Sequence, residues 1–174
     1  MPNEKFLIDA DTLIAPSRLF YPLDMFPDFW DFIEFNIASK SIKILDMVYD
    51  EIIDGKDLLS DWLSGIKSKE LVRHKDIGVI HCYSNILNYI NDSPFYKIEA
   101  LNNWSAENTA DAWLIAAAIV HSCTVITFEK PNNGLNDRYP SKNAKIPDVC
   151  KEFDIKCEDL YYMMRHLDFR KAEK

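Results

Sequence analysis

Glycine is scarce in this chain, with four among 174 residues. None of them forms G-x-G-x-x-G or G-x-x-x-x-G-K-[ST], so the glycine-lined phosphate cradles of dinucleotide and nucleoside-triphosphate folds are excluded. No G-x-S-x-G elbow and no H-E-x-x-H is present, and His74, His81, His121 and His166 share no ligand spacing. The four cysteines (Cys82, Cys123, Cys150, Cys157) form no C-x-x-C pair. They read as buried thiols of a reducing compartment, neither a disulfide frame nor a zinc site. The longest apolar run, residues 112–128, is broken by His121, Ser122 and Thr124 and is too short to cross a bilayer. Asp9 and Asp11 interrupt the stretch a secretory signal would need. The expectation is a cytoplasmic protein without a membrane partner.

What the chain has in excess is acid. It carries 28 Asp and Glu against 20 Lys and Arg, a formal net charge of −8. The excess sits at one end, since residues 1–64 hold thirteen acidic and five basic side chains. Such a balance rules out an overall phosphate-binding surface, so contact with nucleic acid must be local or carried by metal ions. Length and a hydrophobic share of 48% fit one globular domain over residues 1–174.

Apolar runs alternate with amphipathic periods. Residues 5–9 (KFLID), 42–45 (IKIL) and 123–128 (CTVITF) read as strands, with a last one at 155–157. Helical spacing runs through Phe26, Phe29, Trp30 and Ile33, then through Val48, Ile52 and Ile53 up to Gly55. It recurs through 58–66 and 79–90, and Ser105 is placed to cap a helix from Ala106 to His121. Residues 130–145 have loop composition; short helices follow Pro147 and span 158–167. Strands alternating with helices predict an α/β fold with a mostly parallel central sheet flanked by helices.

Carboxylates gather where such sheets bind ligands. Asp9 and Asp11 follow the first strand, and Glu129 follows the strand ending in VITF. A helix after the second strand offers Asp50 or Glu51. Asp111 lies four residues after Glu107 on the expected helix, a like-charged spacing that disfavours an isolated helix slightly. Hard divalent cations take several oxygen ligands and suit such a set. Singly, each acid is equally consistent with a solvated helix start or strand end.

The motifs FLIDADTLI, VYDEI, ADAWLIAAA and VITFEK, in this order over nearly the whole chain, resemble the PIN-domain family of metal-dependent ribonucleases. The aromatic stretch RLFYPLDMFPDFWDFI and the late segment KIPDVC are similar to those of a little-characterised PIN-like branch. The resemblance implies a three-layer PIN-like sandwich. It also implies a metal site of Asp9, Glu51, Asp111 and Glu129, with Asp148 as an alternative final ligand and Asp11 and Thr127 in support. Glu129 departs from the family's usual Asp by one methylene. The implied activity is Mg2+- or Mn2+-dependent hydrolysis of RNA, as the toxin of a toxin–antitoxin pair. The implied partners are RNA, a cognate antitoxin protein and a second copy of the chain.

Phosphate contacts would come from Lys130, Arg138 and Lys142 in the 130–145 loop, or from the basic residues of 65–75; both segments equally suit solvated surface. Phe26, Phe29 and Trp30 could stack on bases, although their spacing favours core or a subunit contact. Two rival readings are carried. One is a PIN-like scaffold that binds a partner or RNA without cleaving. The other is a phosphatase resembling the haloacid dehalogenases, whose D-x-D Asp9-Ala10-Asp11 would match; its later D-D or G-D-x-x-x-D signature is missing.

Overall fold

Uninterrupted apolar runs set the strands. β1 (Lys5–Ile8) has Phe6, Leu7 and Ile8 fully buried, whereas a strand covered on one face would alternate. β2 (Ile42–Leu45) pairs in parallel with β1, Ile8 opposite Ile44, and β3 (Leu71–Val72) pairs in parallel with β2. β4 (Cys123–Ile126) is buried at every position, and β5 (Cys157–Glu158) completes the sheet in the order β3-β2-β1-β4-β5. Val125 N–H donates to Lys156 O at 2.9 Å and Thr127 N–H to Glu158 O at 3.1 Å; the two bonds advance together, as parallel pairing requires. These elements belong to a computed structural model that describes residues 4–169. A parallel sheet with intervening helices is the α/β architecture that the sequence predicts.

Among the described residues the helices are α1 (Asp11–Ala15), α2 (Pro27–Ala38), α3 (Asp46–Asp54), α4 (Leu58–Gly65), α5 (Ile77–Asp92), α6 (Ile98–Trp104), α7 (Asp111–His121), α8 (Ile146–Glu152) and α9 (Leu160–His166). A wider π-helical turn, Pro16–Phe20, continues α1. The chain divides into two compact units, the first comprising residues up to Val72, Ile126–Phe128 and those from Glu158 on. The second comprises Arg73–Val125 and Glu129–Cys157. No described helix is long and apolar enough to cross a membrane.

The first unit is built around aromatics. Phe29 and Trp30 on α2 are buried, Tyr21 stacks on Phe29 at 4.3 Å, and Trp30 meets Trp62 edge-on at 4.8 Å. Trp30 Nε1 donates to Tyr21 O at 2.7 Å, which meets the polar need of a buried indole. Two of the three aromatics considered for base stacking are therefore core, and only Phe26 reaches the surface.

The second unit is built around α7, whose Ala112 and Leu114–Ala118 are all buried. A helix apolar all round must be enclosed, and its alanines let α5 approach closely. Trp113 on α7 lies flat against Tyr83 at 3.5 Å and meets His74 edge-on, so His74 is a packing residue. Here one expectation is corrected. The helix begins at Asp111, and Ser105 closes α6 instead of opening α7. Buried Ala100 and Trp104 anchor the extra helix α6, and Glu107 lies in the turn that follows. The like-charged helical pair of Glu107 and Asp111 therefore does not exist.

Helix ends show how the chain manages with four glycines. No described glycine has positive φ, and the left-handed positions belong to Lys40, Lys56, Ser122, Asp154 and Asp168. Each lies at or just past the end of a helix. Ile155 N–H reaches Cys150 O at 2.8 Å and Phe169 N–H reaches Met164 O at 2.8 Å, the long bonds of a Schellman ending. Gly55 is the cap residue of α3 with ordinary φ, and the left-handed turn falls on Lys56.

Truncating Phe29 to Ala removes the ring that Tyr21, Trp30 and Phe169 pack against. The expected loss is ~3–5 kcal/mol of unfolding free energy, read from urea melts of the two proteins.

Candidate functional site

The strand order reverses between β1 and β4. From β1 the sheet grows through β2 and β3 on one side, and through β4 and β5 on the other. In open parallel sheets this switch point, at the carboxyl ends of the strands, is where ligands bind. Asp9 stands there as the first residue after β1.

Asp9 is held on all sides within the first unit. Its N–H donates to Ile126 O at 2.9 Å; its Oδ1 accepts from Ala10 N at 2.8 Å and its Oδ2 from Thr127 Oγ1 at 2.8 Å. Thr127 is 2% exposed, and Thr12 is fully buried, with its hydroxyl within reach of both Asp9 O and Ile126 O. The two threonines fasten the ends of β1 and β4 and fix the carboxylate between them. The supporting role expected for Thr127 thus has a geometry, which is the orientation of Asp9.

Asp11 and Glu51 belong to the same unit. Burial, and then the Asp11 carboxylate, hold the Glu51 carboxyl above its ordinary range. Both positions are exposed, and the Asp11 charge lies close enough to act on Glu51. Glu51 rides on α3, whose first residue, Asp46, is a further acid that sequence reasoning passed over. Asp46 follows β2 as Asp9 follows β1, is 9% exposed, and accepts from Met47 N at 2.9 Å. Its position straight after a strand was the available signal; the helix offers Asp50 or Glu51, and the resemblance points to Glu51 instead.

The second unit gathers its acids about one ammonium. Lys145 Nζ donates to Glu129 Oε1 at 2.7 Å and Ile146 N to Glu129 Oε2 at 2.8 Å, so each Glu129 oxygen has a protein donor. The bond to Glu129, then the Glu129, Asp111 and Asp148 charges, raise the Lys145 pKa against the opposing effect of burial. Asp111, Glu129 and Asp148 are thereby brought into one electrostatic neighbourhood. Asp148 also accepts from Asn132 N at 3.0 Å through Oδ2. Glu129 and Asp148, the alternatives for a final ligand, share Lys145 as counterion.

The basic candidates divide. Lys142 pairs with Glu99 at 3.5 Å, while Lys130 and Arg138 are exposed on the 130–145 loop. That loop is ordered by its own side chains: Asn136 Oδ1 accepts from Arg138 N and Tyr139 N, and Asn132 Oδ1 from Gly134 N. In the other basic segment, Lys69 is committed to Ser64 O and Ile66 O and lies over the Tyr49 ring.

Both groups offer oxygen donors only, the chemistry that Mg2+ or Mn2+ takes. Among the described residues, no three His, Cys, Asp or Glu side chains stand ready as a metal cage. The donor chemistry fits such an ion in the first unit, whereas Glu129 already holds a cation of the protein's own.

A family model described as "Domain of unknown function (DUF4411)" covers residues 6–171. No curated protein matches the chain.

The Glu51 shift predicts a pH signature. A carboxyl whose folded pKa lies above its ordinary 4.5 contributes stability below that value and loses it as pH rises through the folded pKa. Glu51→Gln is therefore expected to melt higher than the parent at pH 7, with the difference closing by about pH 4. Thermal melts at both pH values decide it, and an unchanged or lowered melting temperature at pH 7 contradicts a Glu51 carboxylate disfavoured by burial and by Asp11.

Proposed function

The chain belongs to the DUF4411 family, whose description assigns no activity, and for it we propose a metal-dependent endoribonuclease of PIN type. The observation that carries the reading is Asp9, fixed by Thr127 at the carboxyl end of the strand where the sheet order reverses. A solvated strand end needs no such fastening, whereas a carboxylate that must present a fixed geometry does. Glu51, whose carboxyl burial and then the Asp11 charge hold above its ordinary range, adds a second support, because a bound cation offsets both effects.

In this reading Asp9, Glu51 and Asp111 would hold Mg2+ or Mn2+, with Glu129 or Asp148 completing the set. Such an ion supplies positive charge that activates water and offsets the phosphodiester's developing charge. The chain's own residues do the rest. Thr127 and Ala10 N–H keep the Asp9 carboxylate in one orientation. Lys130 and Arg138 are exposed cations suited to the RNA backbone. A toxin role, with a cognate antitoxin and a second copy of the chain as partners, follows from the same resemblance.

A silent PIN-like scaffold is the second reading. It is favoured by the Lys145 ammonium on Glu129 and by the absence of a ready three-residue cage among the described residues.

Purified protein is incubated with mixed RNA in Mg2+ or Mn2+, in EDTA, and as the Asp9→Asn variant. Cleavage is expected only with metal, and the variant is expected to lose at least ~100-fold of the rate. No cleavage, together with no rise in melting temperature on adding either metal, leaves the scaffold reading in its place.

A further inference from the structure

The second unit contains an open cleft of about 650 Å³, walled by Tyr89 and Phe95, by the loop start at Pro131–Asn133, and by Asp148 and Glu152 on α8. That volume suits a small organic ligand such as a nucleotide. The wall is partly aromatic and partly proline, which gives flat apolar faces on which a ring can lie. Phe95 is 37% exposed, as a stacking platform must be. Tyr89 is braced behind by Tyr96 at 6.2 Å and Phe153 at 5.8 Å, both edge-on.

The polar side of the cleft accepts hydrogen bonds. Asp148 and Glu152 lie four apart on α8, a spacing that puts two negative charges on one helix face. Asn132 N–H fixes Asp148 through Oδ2. Next to them lies Tyr96, 8% exposed, whose ring meets Tyr89 edge-on. Burial first, then the charges of Tyr89, Asp148 and Glu152 and a bond with the Tyr89 hydroxyl, push the Tyr96 pKa upward, which places this hydroxyl in the same polar neighbourhood. Lys151 adds one cation at the rim.

We propose that this cleft takes an unpaired guanine base of the RNA, stacked on Phe95 and Tyr89 with its N1–H and N2–H₂ edge turned to the carboxylates of α8. Among the four bases, guanine is the one whose Watson–Crick edge presents two adjacent donors, the match for a carboxylate acceptor. Adenine and cytosine each offer one amino group, and uracil one ring N–H. Lys151 then faces the negative side of the nucleotide, its phosphate. The loop that forms one wall is held in place: Ser141 N–H donates to Phe95 O and Lys97 N–H to Ser141 O, each at 2.8 Å. A fixed wall of this kind favours selection among bases over adaptation to all of them.

The choice of RNA as the source of the base rests on the ribonuclease reading; the cleft and its preference for guanine do not. The experiment separates the two. Binding of GMP, AMP, CMP and UMP to the full chain is measured by calorimetry in EDTA, where no cleavage is asked for. GMP is expected to bind at least ~10-fold tighter than the other three. Phe95→Ala and Glu152→Gln, both at exposed positions, are expected to weaken GMP ~5-fold or more with the melting temperature unchanged. Equal binding of all four nucleotides, no binding at millimolar concentration, or indifference to both variants overturns the proposal. Selective GMP binding by a protein that cuts no RNA keeps the cleft and removes the nuclease. RNA cleavage with no preference for guanine and no effect of Phe95→Ala keeps the nuclease and removes the cleft.

Discussion

The junction of β1 with β4 is the constraint on which the rest depends. Two buried strands run side by side and end together, and their last polar groups have little water to turn to. Asp9 N–H takes Ile126 O, the Thr12 hydroxyl reaches across to the same carbonyl, and Thr127 takes the Asp9 carboxylate. Leaving any of these unmade would strand a buried donor or acceptor at a cost of about 1–3 kcal/mol. The sheet grows in opposite directions from this pair, the kind of position at which open parallel sheets bind ligands. One local requirement, satisfying the ends of two buried strands, thus yields an oriented carboxylate at the switch point.

The two acidic groups meet their own repulsion in different ways. In the first unit, burial and then the Asp11 charge raise the Glu51 pKa. In the second unit, Lys145 stands among Asp111, Glu129 and Asp148 and provides the compensating charge internally. A bound cation therefore has more to offer the first group than the second. The surface pairs of the first unit, Arg18 with Asp57 and Lys40 with Glu70, are exposed and add little to stability.

Legibility in the sequence followed the range of the interaction. β1, β2, β4 and the bodies of α2 to α5 were readable, because apolar periodicity is local and these runs are strong. β3 was not, since two residues paired only to β2 carry no period of their own. α6 had no counterpart in the pattern and the start of α7 was displaced, because Ser105 has the composition of a helix opener while buried Trp104 makes it a closer. In the site, Asp9 was visible as the carboxylate at the end of the first strand, and Thr127 came from the resemblance. The Lys145 bond to Glu129 spans sixteen residues and the cleft is lined from three separate segments, so neither leaves a local pattern. Asp46 was within reach, and the resemblance directed the choice to Glu51.

The left-handed helix ends have a consequence for how this chain can change. Five side chains occupy backbone conformations that glycine adopts without penalty, and each forgoes roughly 1 kcal/mol relative to that residue. All five are helix-terminal, and the four that follow α2, α3, α8 and α9 are outside the set of acids discussed above. Drift at such positions toward glycine or asparagine adds stability without touching the chemistry. The fold therefore holds a reserve that can absorb destabilising changes elsewhere, including those by which a binding surface would be remodelled.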